Sequence, residues 1–432
     1  MKNKLLAFAL LLLGILPAAS AQTGTWSGTL DVQGTKLTLV FHLDEENPTV
    51  DCPDQGIKGL RLQVDRGEFG KITLLIPSIG ASYEGQLMRN KLFGTYSQMG
   101  ASLPLTLTPG KPELNRPQTP KGPFPYTQEE VSFANGDAVL QGTLVLPEGC
   151  SRKTPVLLMV TGSGLQNRDE ELFEHKPFAV IADALARSGI ATLRYDDRGI
   201  GASTGNVVNC TTEDFKNDAL AGIRLLRERF DKVGVIGHSE GGSIALMLAE
   251  EKQADFIVSL AGMAISGAEA LVWQNRTELP QMGYDAETAD TYCKALEETF
   301  TAMVEGLPYP KAADYKLPEA LRQNLQAVQA QLNMPYLRYF VKLDVSPLLG
   351  QVDCPVLALN GTRDLQVEYE RNLGALRAGL PARPGNKFVP VEGVNHMFQH
   401  CTTGTVQEYR EIEETFAPEA LELIIQWLSA LQ

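Results

Sequence analysis

Gly237-His238-Ser239-Glu240-Gly241 is the stretch of this 432-residue chain best built for nucleophilic chemistry. It reads G-x-S-x-G. A buried-strand run, Val233–Ile236, precedes it and a helical run, Gly242–Glu250, follows. In that strand–turn–helix setting a serine is lifted to the top of a sheet. The flanking glycines have a physical reason. The turn puts Ser239 in a strained backbone conformation, and side chains two residues away on either side would clash. The helix start aims backbone N–H groups at the serine. The chemistry implied is attack of a hydroxyl on an acyl carbon.

Such a hydroxyl needs a base. The chain has five histidines: His42, His175, His238, His396 and His400. In sheets of this kind the partners follow in the order serine, acid, histidine. Only His396 and His400 lie after Ser239. His396 follows a strand-like run ending at Val391 and is the favoured base; His400 lies four residues on, in a turn or helix. His238 adjoins the serine across a tight turn, where neighbours point apart. Asp364, on the loop after Val356–Asn360, is the favoured acid, because it would hold the histidine tautomer and stabilise the imidazolium. Asp353 precedes that strand and falls at the wrong end; Glu368 and Glu392 are the other rivals. Oxyanion donors are expected from the Glu240 N–H and from the glycine-rich turn Thr161-Gly162-Ser163-Gly164-Leu165, with Ser163 and Gly164 both open as the source. Asn167-Arg168-Asp169-Glu170 and Asp196-Asp197-Arg198 read as clusters that pin loops, with substrate contact as the other reading.

The elements that must position these residues alternate. Strand-like runs fall at Ala138–Leu146, Pro155–Val160, Gly189–Tyr195, Lys232–Ile236, Asp255–Leu260, Pro355–Asn360 and Lys387–Val391. Helical spacing falls at 178–187, 213–229, 243–250, 367–377 and 418–431. Nearly unbroken apolar strands between helices imply a mostly parallel sheet covered on both faces. About 90 residues separate Leu260 from Pro355, far more than a crossover needs. The excess, about 263–350, is read as an inserted helical cap, with helices at Ala286–Glu305 and Pro318–Leu332.

Residues 22–108 differ. Short alternating segments such as Lys36–Leu43 and Lys71–Ile76 predict a small antiparallel β-rich domain or barrel. His42 there reads as structural. Six prolines within 109–125 predict an extended linker before a second domain at 126–432. At the start, Lys2 and Lys4, an apolar run to Leu16 and Ala19-Ser20-Ala21 have the order of a secretory signal, 1–21. The run is shorter than the roughly 20 residues that span a bilayer. The expected product is exported, periplasmic or secreted, with no membrane anchor after cleavage.

Composition excludes several classes. With 44% apolar residues and no low-complexity tract, disorder and coiled coil are poor readings. A formal charge of −14 without a basic run argues against nucleic acid as a partner. Cys52, Cys150, Cys210, Cys293, Cys354 and Cys401 show no C-x-x-C, so no zinc site is expected. Export would permit disulfides, yet spacing gives no pairing; Cys354 reads as a buried thiol. No spacing suggests a metal or a dinucleotide, so no cofactor is expected.

Five motifs recur in order: Thr161-Gly162-Ser163-Gly164, Tyr195-Asp196-Asp197-Arg198-Gly199-Ile200-Gly201, Gly237-His238-Ser239-Glu240-Gly241-Gly242, Leu359-Asn360-Gly361-Thr362-Arg363-Asp364 and Gly393-Val394-Asn395-His396. On these, residues 126–432 resemble the α/β-hydrolase superfamily. They are most similar to exported bacterial serine esterases related to dienelactone hydrolases and prolyl-oligopeptidase-like peptidases. The resemblance implies a triad of Ser239, Asp364 and His396 acting on a small-molecule carboxylic ester, with short acyl chains expected. Dienelactone hydrolases carry a cysteine where this chain has Ser239, and residues 22–108 are too short for the β-propeller of the true peptidases; both departures favour an esterase. An amidase or peptidase with the same triad, or a non-catalytic exported binding protein, are the competing readings. Homodimerisation stays open.

Overall fold

The computed structural model describes residues 22–431 apart from 33–34, 44–45, 54–56, 99 and 112–113. The expected signal segment, 1–21, lies outside the described residues. The chain forms two compact units, Met1–Leu114 and Asn115–Gln432.

The first unit is an antiparallel sheet of nine strands: β1 (Thr25–Val32), β2 (Thr35–His42), β3 (Thr49–Cys52), β4 (Ile57–Arg61), β5 (Gln63–Arg66), β6 (Lys71–Ile76), β7 (Ala81–Met88), β8 (Lys91–Gln98) and β9 (Ala101–Pro109). Their order is β4-β3-β2-β1-β9-β8-β7-β6-β5. The two ends of that order are β4 and β5, which only Leu62 separates along the chain. The sheet therefore curls until its ends meet there. Alternating residues fill the inside, among them Trp26, Phe41, Leu74, Tyr83 and Leu107. His42 bonds Asp51 of β3 at 3.0 Å.

The second unit is built on a mixed sheet of β10 (Thr127–Asn135), β11 (Ala138–Leu146), β12 (Val156–Val160), β13 (Ala191–Tyr195), β14 (Val233–His238), β15 (Ile257–Leu260), β16 (Val356–Gly361) and β17 (Lys387–Val391). The order is β10-β11-β13-β12-β14-β15-β16-β17. The first two pairings, β10 with β11 and β11 with β13, are antiparallel; the pairings from β13 onward are parallel. β10 was not foreseen, because Thr127–Asn135 is a polar edge strand, exposed along most of its length.

Ten helices accompany the sheet: α1 (Pro177–Arg187), α2 (Thr212–Arg227), α3 (Glu240–Glu250), α4 (Gly267–Gln281), α5 (Ala286–Glu305), α6 (Glu319–Gln331), α7 (Pro335–Lys342), α8 (Tyr369–Gly379), α9 (Val406–Tyr409) and α10 (Pro418–Ala430). On β12, Val156, Leu158 and Val160 face a core completed by α2, α3 and α8. Leu157 and Met159 face the opposite core, completed by α1 and α10. Each fully buried aliphatic side chain contributes about 1.5–3 kcal/mol, so both faces must be covered for the sheet to persist.

Two further observations bear on the site. The segment expected as a linker is anchored from Arg116 onward. The Arg116 guanidinium donates to the carbonyls of Phe173, Arg410 and Ile412, and Gln118 donates to that of Phe416. Its prolines prevent regular structure, but not docking. Between β15 and β16, α4 to α7 enclose a core of their own, with Val272, Leu296, Phe300 and Leu325. The Gly267 N–H at the start of this insertion bonds the Leu343 carbonyl at its end, at 2.8 Å.

Candidate active site

Ser239 stands between β14 and α3 with φ 53° and ψ −119°. This positive φ is costly for a residue with a Cβ and persists only where the surroundings enforce it. They do so tightly. A Cβ on Gly237 would lie 2.0 Å from the Gly241 carbonyl oxygen, and one on Gly241 would lie 2.2 Å from that of Val160. The Ser239 N–H bonds the Leu260 carbonyl at 2.9 Å, which ties the elbow to β15.

His396 and Asp364 meet across two neighbouring strand ends. His396 Nδ1 lies 2.8 Å from Asp364 Oδ2, and both residues are buried. The same oxygen accepts from Asn360 Nδ2 at 3.1 Å, while Oδ1 accepts the N–H groups of Gln366 and Val367, each at 2.8 Å. The loop carrying His396 is braced by Asn395, whose Oδ1 accepts from Met397 and Gln399 N–H at 3.0 Å. Gly361 lets that loop close in, since a Cβ there would meet the Val394 carbonyl oxygen at 2.3 Å.

Ser239 and His396 line one cavity of about 370 Å³. Gly162 and Ser163 border it from the loop after β12. Ala270, Leu271 and Gln274 of α4 and Tyr336, Leu337 and Phe340 of α7 supply its other side. The insertion thus contributes a wall to the space over the serine. Glu240, at the first position of α3, is buried and turns its side chain toward that wall. Its Oε2 accepts the Ser163 hydroxyl at 2.7 Å and the Tyr336 hydroxyl at 2.5 Å, while Oε1 is buried with no partner. Burial and the Glu240 charge raise the Tyr336 phenol far above its ordinary range, so it acts as a donor. Glu278 of α4 also feels Asp364 and His396, and burial pushes its carboxyl up.

The loop expected to hold the oxyanion is itself committed in part. The Gly162 N–H donates to Glu170 Oε1 at 2.7 Å, and Gly164 takes a positive φ of 97°. Thr161 donates to Asp197, whose carboxyl burial pushes up to about 8. The two polar clusters do pin loops: Arg168 binds Asp196 with two nitrogens, and Arg198 does the same to Asp218. Glu170 is the exception, because it lines the cavity and pairs with His238 at 2.9 Å. No sequence spacing marks that pairing.

The remaining candidates lie elsewhere. His400 is exposed and bonded to Glu414 and Glu419. His175 is buried against Thr415 and Tyr409, and burial brings it down to about 4. Asp353 pairs with Arg383 before β16, and Glu368 caps α8. Among the described residues no two cysteines form a disulfide, and no group of three or more His, Cys, Asp or Glu is arranged to hold a metal. Cys354 is buried, and burial pushes its thiol up to about 12.

Comparison with known proteins follows the same region. Residues 135–401 match the family described as X-Pro dipeptidyl-peptidase (S15 family). The esterase EstD of Thermotoga maritima is 27% identical over 263 residues, which are 60% of this chain and 58% of EstD; the match therefore spans under two thirds of that relative's length. Among solved structures, the Pyrococcus furiosus esterase Pf2001 is similar at TM-score 0.42 and 17% identity, over 74% of this chain and 98% of that one. Est1E from Butyrivibrio proteoclasticus, solved with ferulic acid, is similar at TM-score 0.41 and 18% identity, over 69% of this chain and 99% of that one.

Proposed function

The chain belongs to the X-Pro dipeptidyl-peptidase (S15) family, and on that premise we propose that it is a serine hydrolase cleaving small carboxylic esters through Ser239, His396 and Asp364. The observation that carries this reading is the shared cavity: a strained serine and a carboxylate-bound histidine open onto one space of about 370 Å³. That volume is at the small end of ligand pockets, which supports short acyl or alcohol groups.

In this mechanism Ser239 Oγ attacks the ester carbonyl. Asp364 holds Nδ1–H, which leaves His396 Nε2 to take the serine proton. The tetrahedral oxyanion is met by the N–H of Glu240 and by that of Ser163 or Gly164; the Gly162 N–H is turned to Glu170. His396 then protonates the leaving alcohol. A water activated by His396 releases the acid and restores the serine. The 27% likeness to an esterase supports the ester over the amide. The family description favours a second reading, cleavage of a peptide bond after proline by the same three residues.

The test compares p-nitrophenyl acetate and butyrate with an X-Pro p-nitroanilide on purified protein. Esters are expected to turn over, and S239A is expected to lose about four orders of magnitude in kcat while remaining folded. Anilide turnover above that of the esters would establish the second reading. Turnover unchanged in S239A would overturn Ser239 as the nucleophile, whereas no ester turnover together with failure of a fluorophosphonate to label Ser239 would leave only a binding role. We also propose that residues 1–21 direct export, which N-terminal sequencing of the recovered protein would check.

A further inference from the structure

A second carboxylate–imidazole pair lies beside the first. Glu170 Oε1 is 2.9 Å from His238 Nδ1, and His238 Nε2 is 3.0 Å from the main-chain carbonyl of His396. Both residues are buried and both line the cavity. A carboxylate oxygen and a carbonyl oxygen can only accept, whereas a neutral imidazole has one N–H to give. Serving both partners takes a proton on each ring nitrogen. The Glu170 oxygen that faces His238 also accepts the Gly162 N–H. One run of hydrogen bonds therefore joins the loop after β12, through Glu170 and His238, to the loop carrying His396. The His238 and His396 rings are 4.6 Å apart and tilted by 44°.

We propose that Glu170 and His238 form a standing carboxylate–imidazolium pair that positions His396 by holding its main chain. The proposal rests on His396 being the general base. His238 touches no reacting atom; it is a positioning residue that grips the His396 main chain, and Glu170 acts through it. The groups facing the pair are Asp364 and His396 on one side and, toward Glu170, Asp197. Burial opposes a charge on His238, yet the Glu170 charge and hydrogen bond outweigh it and leave His238 above its ordinary range. Asp197, pushed up to about 8, does not compete as a counter-charge at neutral pH. Asp364, bonded to His396 directly, stabilises the proton taken from the serine.

The test begins with the side-chain nitrogens of histidine-labelled protein, His238 being assigned by its loss in H238Q. Both His238 nitrogens are expected to stay protonated across the pH range in which an ordinary histidine changes state. E170Q keeps an acceptor oxygen but removes the charge, so His238 should give up one proton. For p-nitrophenyl acetate, kcat should then fall about tenfold with KM held within about threefold. One unprotonated nitrogen on His238 in the unaltered protein would overturn the proposal, as would an E170Q variant with unaltered kcat. If the unaltered protein cleaves no ester, the hydrolase reading falls, and the nitrogen resonances still decide the pair.

Discussion

Each oxygen of Asp364 accepts two hydrogen bonds, and three of the four donors come from its own strand end and loop. The carboxylate is thus fixed before His396 reaches it, which is what orientation of an imidazole demands. Asp197 presents the opposite case. Its carboxyl is raised to about 8, so the folded state holds a proton that the unfolded state releases near pH 4. Its contribution is fully present below that lower value and is lost as pH rises through about 8. Asp197→Asn keeps an acceptor for the Gln166 N–H and should flatten the decline. Urea midpoints at about pH 5, 7 and 9 should converge on one value more closely in D197N than in the parent. At this scale the places of Ser239 between β14 and α3, and of Asp364 and His396 on the loops after β16 and β17, were legible in the sequence, because a motif in context and a short list of histidines leave few alternatives. Glu170 was not. Four polar residues in a row, 167–170, look alike until the loop's path, with φ 51° at Glu170, aims one of them inward.

Among the elements, α7 bears most directly on the site. Tyr336 joins it to the elbow through Glu240, and Tyr339 joins it to α2 through Glu213 at 3.1 Å. Tyr336→Phe would leave Glu240 Oε2 with Ser163 alone, beside an Oε1 that already has no partner. A cost of about 2 kcal/mol is expected, read as a lower melting temperature. KM should rise more than kcat falls, because Leu337 and Phe340 on the same helix border the cavity. Long periodic elements were readable: Ala138–Leu146, Ala286–Glu305 and Lys387–Val391 stand where the apolar pattern places them. The short α7 and the polar edge strand β10 were not: eight residues give the apolar face of α7 little room to repeat, and tertiary contacts rather than an apolar pattern define β10.

For the molecule as a whole, every residue assigned to the site belongs to the second unit. A fragment spanning 115–432 should therefore fold and keep its kcat/KM for p-nitrophenyl acetate within about threefold, which purification and steady-state assay would check. Arg116 should be retained in it, since its guanidinium ties three carbonyls of that unit. The bond between Gly267 and Leu343 has a different consequence. The insertion leaves and rejoins the second unit's sheet at one point and brings its own core, so it is a cassette. Under the proposed function, evolution, or an engineer cutting at those two residues, can exchange the whole of it to reset which substrates are admitted, provided the incoming segment supplies Glu240 with the donor that Tyr336 now gives.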